Sequence, residues 1–324
     1  MVSNYILYAI LALWVFGAIC ILRERRNIRV MIYLNIFSLI SSLAYFLLGS
    51  PDAGMAEAAV GAFTTIFFIV CFEKYEELHV DGASPEFEAP PAERVPPFKR
   101  FIGILAPLTF TVAIAALFLH AAPDSVASVE LKHRYLAEFA QDVGGENAVT
   151  AIYLGYRVYD TLFEALLLVL TVLAVTHMSY SKNIESTNQK RRLKPSVIEI
   201  LVMRVICVLI LLFGVYLIVN GHISAGGGFQ GGLFIAAFFI CRFLVHNIYD
   251  LPIKKLFRLE EFIFAITILM AVFVVFLGAS SYLPVEYLPA FQGFYMILMN
   301  FVIGMKVACG FIILFYRYVT IERS

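Results

Sequence analysis

Residues 197–219, VIEILVMRVICVLILLFGVYLIV, decide the fold class. A helix that crosses a bilayer needs roughly 20 mostly apolar residues, because it rises about 1.5 Å per residue through a hydrocarbon core about 30 Å thick. This stretch is long enough. Its only charges, Glu199 and Arg204, sit in its first turns. It presents no polar face to water. Inside lipid each backbone N–H and C=O must find its partner within the segment, which makes the stretch a helix.

Eight further stretches meet the same test, at about 4–22, 28–48, 53–72, 101–121, 157–178, 230–247, 261–283 and 292–317. None shows the alternation of a barrel strand. The bulk composition agrees. Of 324 residues, 61% are hydrophobic and 15% charged, and mean hydropathy is +0.86. A soluble chain carries roughly 45–50% apolar and about 25% charged residues. The net charge of zero gives no reason to expect a nucleic-acid partner. The first stretch lacks an A-x-A cleavage pattern and reads as a retained helix. The expected fold is therefore an all-α polytopic membrane bundle of about nine transmembrane helices, embedded in the lipid bilayer.

Lys and Arg in short loops set orientation. Arg23, Arg25, Arg26 and Arg29 follow the first helix; Lys99 and Arg100 precede the fourth. Lys182, Lys190, Arg191, Arg192 and Lys194 precede the sixth, Lys254, Lys255 and Arg258 the eighth, and Arg317 and Arg323 follow the ninth. On a nine-helix count all fall on one face. The expected topology has the N-terminus outside and the C-terminus cytoplasmic. Two polar linkers, 73–100 (with PEFEAPPAERVPP) and 180–195, divide the chain into units of three, two and four helices: 1–80, 96–180 and 195–324. Between helices four and five, SVELKHRYLAEFAQDV (128–143) reads as a short surface helix.

An ionisable side chain at bilayer depth costs about 2.5–3.5 kcal/mol on insertion scales, so each one is a candidate site. Glu57 lies early in the third helix, with Gly61 and Thr64 near its face. Asp160 and Glu164 are four apart on the fifth helix and share a face, an arrangement suited to proton or cation exchange. Lys306 lies near the middle of the ninth helix, with Asn300 one to two turns earlier. Its depth calls for a carboxylate or carbonyl partner, conducting or structural. Glu199 either complements the start of its helix or relays charge. Arg204 either snorkels to the face or sits inside.

Residues 226–232, GGGFQGG, contain a formal G-x-G-x-x-G. The dinucleotide reading needs a strand before it and a βαβ unit around it. Here a spanning helix precedes it and another follows. The glycines Gly226, Gly227, Gly228, Gly231 and Gly232 instead suit a tight reversal with close backbone approach, after Gly221 caps the sixth helix in a left-handed conformation. His222 and Gln230 flank the turn; His222 either caps carbonyls or titrates near neutral pH. Cys20, Cys71, Cys207, Cys241 and Cys309 are scattered through apolar runs and read as small hydrophobes, with no metal spacing. No nucleophile–base–orienter set stands out, so the chain does not read as an enzyme by itself.

The motifs carry a resemblance. NGHISAGGGFQGGLFIAAFF (220–239) and NFVIGMKVACG (300–310), which includes Lys306, resemble the MnhB/MrpB family of Mrp-type sodium/proton antiporters and related membrane-bound hydrogenases. SPDAGMAEAAVGAFTTIFF (50–68) resembles the MbhD-like family, and AIYLGYRVYDTLFEALLLVLTVLAV (151–175) the MbhE-like family. Two positions depart from these patterns: Ala225 stands where the family turn usually has Pro, and Phe163 where Gly usually precedes the glutamate. The resemblance implies a fused subunit of a multi-subunit sodium/proton-translocating complex in the cell (cytoplasmic or inner) membrane, with other membrane subunits as partners. It further implies either coupling to a ferredoxin-linked hydrogenase or oxidoreductase, or a non-conducting joining role. Glu57, Asp160, Glu164 and Lys306 are the implied path residues. The moving species would be sodium ions or protons, with no cofactor in this chain.

Overall fold

A computed structural model describes residues 2–80, 126–178, 197–246, 252–280 and 288–320, with positions 109, 112 and 116. Among these the chain is helical and has no strand. The helices are α1 (Val2–Arg23), α2 (Asn27–Leu47), α3 (Pro51–Val80), α4 (Val126–Asp142), α5 (Ala148–Ala151), α6 (Val158–Met178), α7 (Val197–Asn220), α8 (Gly228–His246), α9 (Ile253–Ser280) and α10 (Leu288–Thr320). A π-helical turn, Ile152–Tyr156, joins α5 to α6. Six helices are long and apolar enough to cross a membrane: α1, α2, α3, α6, α7 and α10; α8 contributes a shorter apolar segment, Gly228–Phe243. The helix expected at 101–121 lies outside the described residues, apart from the helical positions 109, 112 and 116. So do the linker at 180–195 and residues 81–100 of the other linker.

Two boundaries differ from expectation. α3 runs on to Val80, through charged residues that a hydropathy window rejects but a helix tolerates. α9 starts at Ile253, eight residues before the expected span. Pro252 opens it, and its carbonyl accepts from the N–H groups of Lys255 (2.8 Å) and Leu256 (3.1 Å). Lys254, Lys255, Arg258, Glu260 and Glu261 thereby fall on the first turns of a helix. The charges mark where α9 begins, whereas hydropathy places Lys254, Lys255 and Arg258 in a loop.

The chain divides into two compact units, residues 1–74 with 138–324, and residues 75–137. The second includes the charged, largely exposed part of α4, as expected of a surface helix. In the first unit α10 is the axis. It packs against α6, α7, α8 and α9, and most of its span is buried, whereas that of α1 is almost bare. Met296, Met299, Ile313 and Phe315 of α10 are fully buried with Leu154, Leu233 and Phe243. α3 leans on the same helix through aromatic edges, Phe63 on Phe311 (centroids 4.7 Å apart) and Phe67 on Phe315 (6.4 Å). Edge-to-face pairs of this kind add about 0.5–1.5 kcal/mol beyond the area they bury. α1 and α2 pair through Trp14, whose indole stacks on Phe37 and donates to Ser41 Oγ at 2.6 Å.

The GGGFQGG turn is built on backbone proximity. Gly226 (φ 146°) and Gly227 (φ 144°) occupy backbone conformations that disfavour a Cβ. Gly221 has no positive φ, so the left-handed cap expected there is not formed. Instead Asn220 O accepts from both Ile223 and Ser224 N–H at 2.9 Å, and a Cβ on Gly221 would fall against the backbone of Gly227. Farther on, Gly231 abuts Gly214 of α7, while Gly228 and Gly232 abut the backbone around Gly304 of α10.

Candidate functional site

Three polar groups are set into this apolar frame. The first gathers at the α7–α8 turn. Asp52, second residue of α3, accepts from Asn147 Nδ2 (3.0 Å) and from the N–H of Gly226 (3.1 Å). Asn147 also donates to the carbonyls of Ser224 (2.9 Å) and Gly221 (3.2 Å), and its Oδ1 caps α5 by accepting from Val149 N–H at 2.9 Å. Thr150 donates to the Gly221 carbonyl at 2.6 Å. The His222 carbonyl accepts from Glu146 (2.8 Å) and Asn147 (3.0 Å) N–H groups, and the His222 ring lies 3.0 Å from the Val219 carbonyl, the capping alternative for that residue. Across the turn, Asn300 Oδ1 of α10 accepts from Tyr153 (2.9 Å) and from the N–H of Gly228 at the head of α8 (3.0 Å). The π-turn supplies Tyr153. Its irregular ladder leaves the Tyr153 carbonyl to Thr161 Oγ1 (2.5 Å) and the Leu154 carbonyl to Tyr295 (3.1 Å). π-turns inside α-helices concentrate at functional sites.

The second group is a dry ion pair. Lys306 Nζ of α10 bonds Glu260 Oε1 of α9, and the two side chains are 1% and 3% exposed. The ammonium lies 4.9 Å from the centroid of Phe264. Fully buried Thr267 satisfies its hydroxyl on the Ile263 carbonyl at 2.9 Å. Together the pair is neutral; either partner alone would be an uncompensated charge in a low-dielectric interior.

The third is the Glu57 groove between α2 and α3. It measures about 250 Å³ and is lined by Ser38, Glu57, Gly61, Thr64 and Thr65, with apolar walls that include Phe37 and Phe68. Ser38 Oγ bonds Glu57 Oε1 at 2.8 Å and its carbonyl at 2.9 Å. Among the described residues the Glu57 carboxylate is paired with no cation. Thr64 and Thr65 donate to backbone carbonyls, Thr65 to Gly61 at 2.8 Å, which leaves hydroxyl lone pairs on the groove wall.

Glu57 and Lys306 therefore sit in separate groups. Asp160 and Glu164 share an exposed face of α6, and Asp160 pairs with Arg157, both about half exposed. Arg157 thus gives Asp160 a cationic partner at the start of α6. Arg204 is exposed on α7; the side chain of Glu199 lies outside the described residues. Sequence reading missed Asp52, Asn147 and Glu260. Asp52 follows Pro51 and resembles an ordinary acidic first turn of a helix. Glu260 was hidden in a charge run read as a loop.

Two family models match separate parts of the chain. Residues 198–313 match a domain related to the MnhB subunit of Na+/H+ antiporter, and residues 12–77 match the MbhD family of MBH subunits. A putative antiporter subunit mnhA2 of Staphylococcus aureus (strain JH9) is 24% identical over 151 residues, 47% of this chain and 17% of the relative. The chain thus spans under a fifth of the curated relatives it matches. Among solved structures, the Mrp complex from Dietzia sp. DQ12-45-1b aligns with a TM-score of 0.69 and 18% identity over 98% of this chain and 35% of that one. The membrane-bound sulfane sulfur reductase, an archaeal respiratory membrane complex, aligns with a TM-score of 0.54 and 24% identity over 68% of this chain and 97% of that one. At these identities the structural likeness is one of fold.

Proposed function

We propose, from the premise that this chain is a fused MbhD-like and MnhB-like membrane subunit, that it serves a multi-subunit cation-translocating complex of the Mrp antiporter type. It works beside larger subunits and does not act as an enzyme alone. The middle segment is its MbhE-like part. The complex sits in the cell membrane, with the Lys- and Arg-rich loops and the C-terminus cytoplasmic, on a count of about nine spans.

The observation that carries this reading is the Glu57 groove. A half-buried carboxylate without a cationic partner among the described residues, in a mostly apolar groove that also holds the hydroxyls of Ser38, Thr64 and Thr65, asks for a cation or a proton. Sodium ions and protons are the species assigned to it, with Glu164 on the α6 face as a further station. Lys306, neutralised by Glu260, supports the path by holding α9 to α10. The test is Glu57→Gln in the whole complex. Sodium-dependent proton movement in membrane vesicles is expected to fall at least tenfold while the subunits still co-purify. Full transport by that variant would remove Glu57 from the path.

A second reading, a joining subunit that conducts nothing, draws support from the exposed apolar faces of α1, α2 and α7, among them Phe16, Leu39 and Leu209. Under it, the Glu57→Gln complex assembles and transports normally, while apolar-to-charged changes on those faces release partners. Coupling to a ferredoxin-linked hydrogenase or oxidoreductase is the finer form of the first reading, and co-purification of a redox arm tests it.

A further inference from the structure

Two of the scattered cysteines meet. Cys207 of α7 and Cys241 of α8 are both buried free thiols, 7% and 5% exposed, and each thiol lies within interaction range of the other. They stand 34 positions apart in the sequence, with neither C-x-x-C spacing nor a local motif to join them.

The seam between the two helices explains the meeting. α7 and α8 are antiparallel neighbours joined by the short glycine turn, and they pack along their length. They approach closely where Gly214 faces Gly231: a Cβ on Gly214 would stand 3.0 Å from the Gly231 carbonyl oxygen, and one on Gly231 would stand 2.6 Å from the Gly214 carbonyl oxygen. Cys207 lies two turns from Gly214 on the same face of α7. Cys241 lies two turns from Phe234 on the same face of α8, and Phe234 Cβ stands 3.0 Å from a Cβ built on Gly214. Phe234 fills the interval, with its ring edge-on to Phe213 at 4.9 Å. Two turns further along each antiparallel helix, the same register sets Cys207 opposite Cys241.

The geometry points to Cys207 and Cys241 as a disulfide-forming pair that reversibly staples α7 to α8 beneath the GGGFQGG turn. The step is a two-electron oxidation. Two S–H bonds break and one Sγ–Sγ bond forms. The two protons and two electrons pass to a lipid-soluble acceptor, an azo compound or a quinone, which leaves as its hydrazine or quinol. A small membrane-permeant dithiol reverses the step by thiol–disulfide exchange and leaves as its own disulfide. The site's depth selects the oxidant. Water-soluble oxidants are excluded from an apolar seam, whereas acceptors that partition into the bilayer enter it. The inference concerns the thiols alone and does not depend on which ion the complex moves.

The test counts thiols on the full chain in its own membranes. Membranes are treated with the permeant azo oxidant diazenedicarboxamide and dissolved in SDS, and the remaining thiols are tagged with a polyethylene-glycol maleimide. The wild-type chain, which has five cysteines, is expected to drop from five tags to three and to regain five after dithiothreitol. C207S and C241S are expected to hold four tags throughout, and C309S to drop from four to two. Mass spectrometry of the oxidised wild type is expected to show the Cys207 and Cys241 peptides joined and two hydrogens lighter, which checks the pair without any variant. Retention of five tags by the oxidised wild type, or loss of two tags in C207S, overturns the proposal.

Discussion

Glu260 and Lys306, 46 positions apart, close on each other in the bundle interior between α9 and α10. Neither is exposed enough to be hydrated, so each stabilises the other's charge. A buried pair of this kind contributes little compared with well-packed apolar side chains, yet breaking one half is costly. That asymmetry gives a signature.

Lys306→Met alone is expected to destabilise the subunit by about 3–5 kcal/mol, because Glu260 is left charged in an apolar interior. The double change Lys306→Met with Glu260→Met is expected to recover most of that loss. Thermal unfolding of the detergent-purified complex reads both. A double variant as weak as the single one would mean the pair does more than neutralise itself.

Asp52 ties α3 to the turn through Asn147 and Gly226. Asp52→Ala removes two hydrogen bonds to a charged acceptor, each worth about 1.5–3 kcal/mol. Protease cleavage within 221–227 is expected to rise several-fold, while α1–α2 packing, followed by Trp14 fluorescence, stays unchanged. Unaltered protection of the turn would show that Asp52 is dispensable to it.

Gly231→Ala places a methyl group against the Ile218 side chain and 2.6 Å from the Gly214 carbonyl. Overpacking of this kind costs about 1–3 kcal/mol. Gly293→Ala, on α10, meets nothing within 4 Å. It is expected to be neutral or to stabilise by up to about 1 kcal/mol, since Ala favours a helix over Gly. The unfolding midpoint is expected to fall for Gly231→Ala and to hold or rise for Gly293→Ala.

Ser38→Ala deletes the 2.8 Å hydrogen bond to the Glu57 carboxylate. If the groove binds a cation, the loss of about 1–2 kcal/mol is expected to raise the half-saturating sodium concentration about 5- to 30-fold. Transport assays across a sodium series check this.

At the α1–α2 turn, the Arg26 N–H, helped by the Arg25 N–H and the Arg26 and Arg29 charges, holds the Glu24 carboxyl below the usual glutamate range. A depressed folded-state value means its contribution is present at neutral pH and fades as pH falls through that value. Hydrogen-exchange protection of the Arg25 and Arg26 amides is expected to drop on acidification, and Glu24→Gln is expected to abolish that pH dependence.

The helices and their type were legible in residues alone, because lipid permits so few ways to satisfy a backbone. The need of Lys306 for a partner was legible for the same reason. The glycine run announced close backbone approach, and Gly228, Gly231 and Gly232 make that approach. Which glycine takes the positive φ was not legible: the constraint at Gly221 comes from Gly227 folding back onto it.

Hydropathy is a sum over neighbours in the chain, so the membrane helices, the polar residues too costly to be accidental, and the family motifs are legible in linear order. Partnership is set by distance in space. Folding in three dimensions alone decides that Lys306 meets Glu260, that Asp52 reaches Gly226 across 174 positions, and that Cys207 lies beside Cys241. Each pairing depends on the register between helices, and side-chain packing between elements fixes that register.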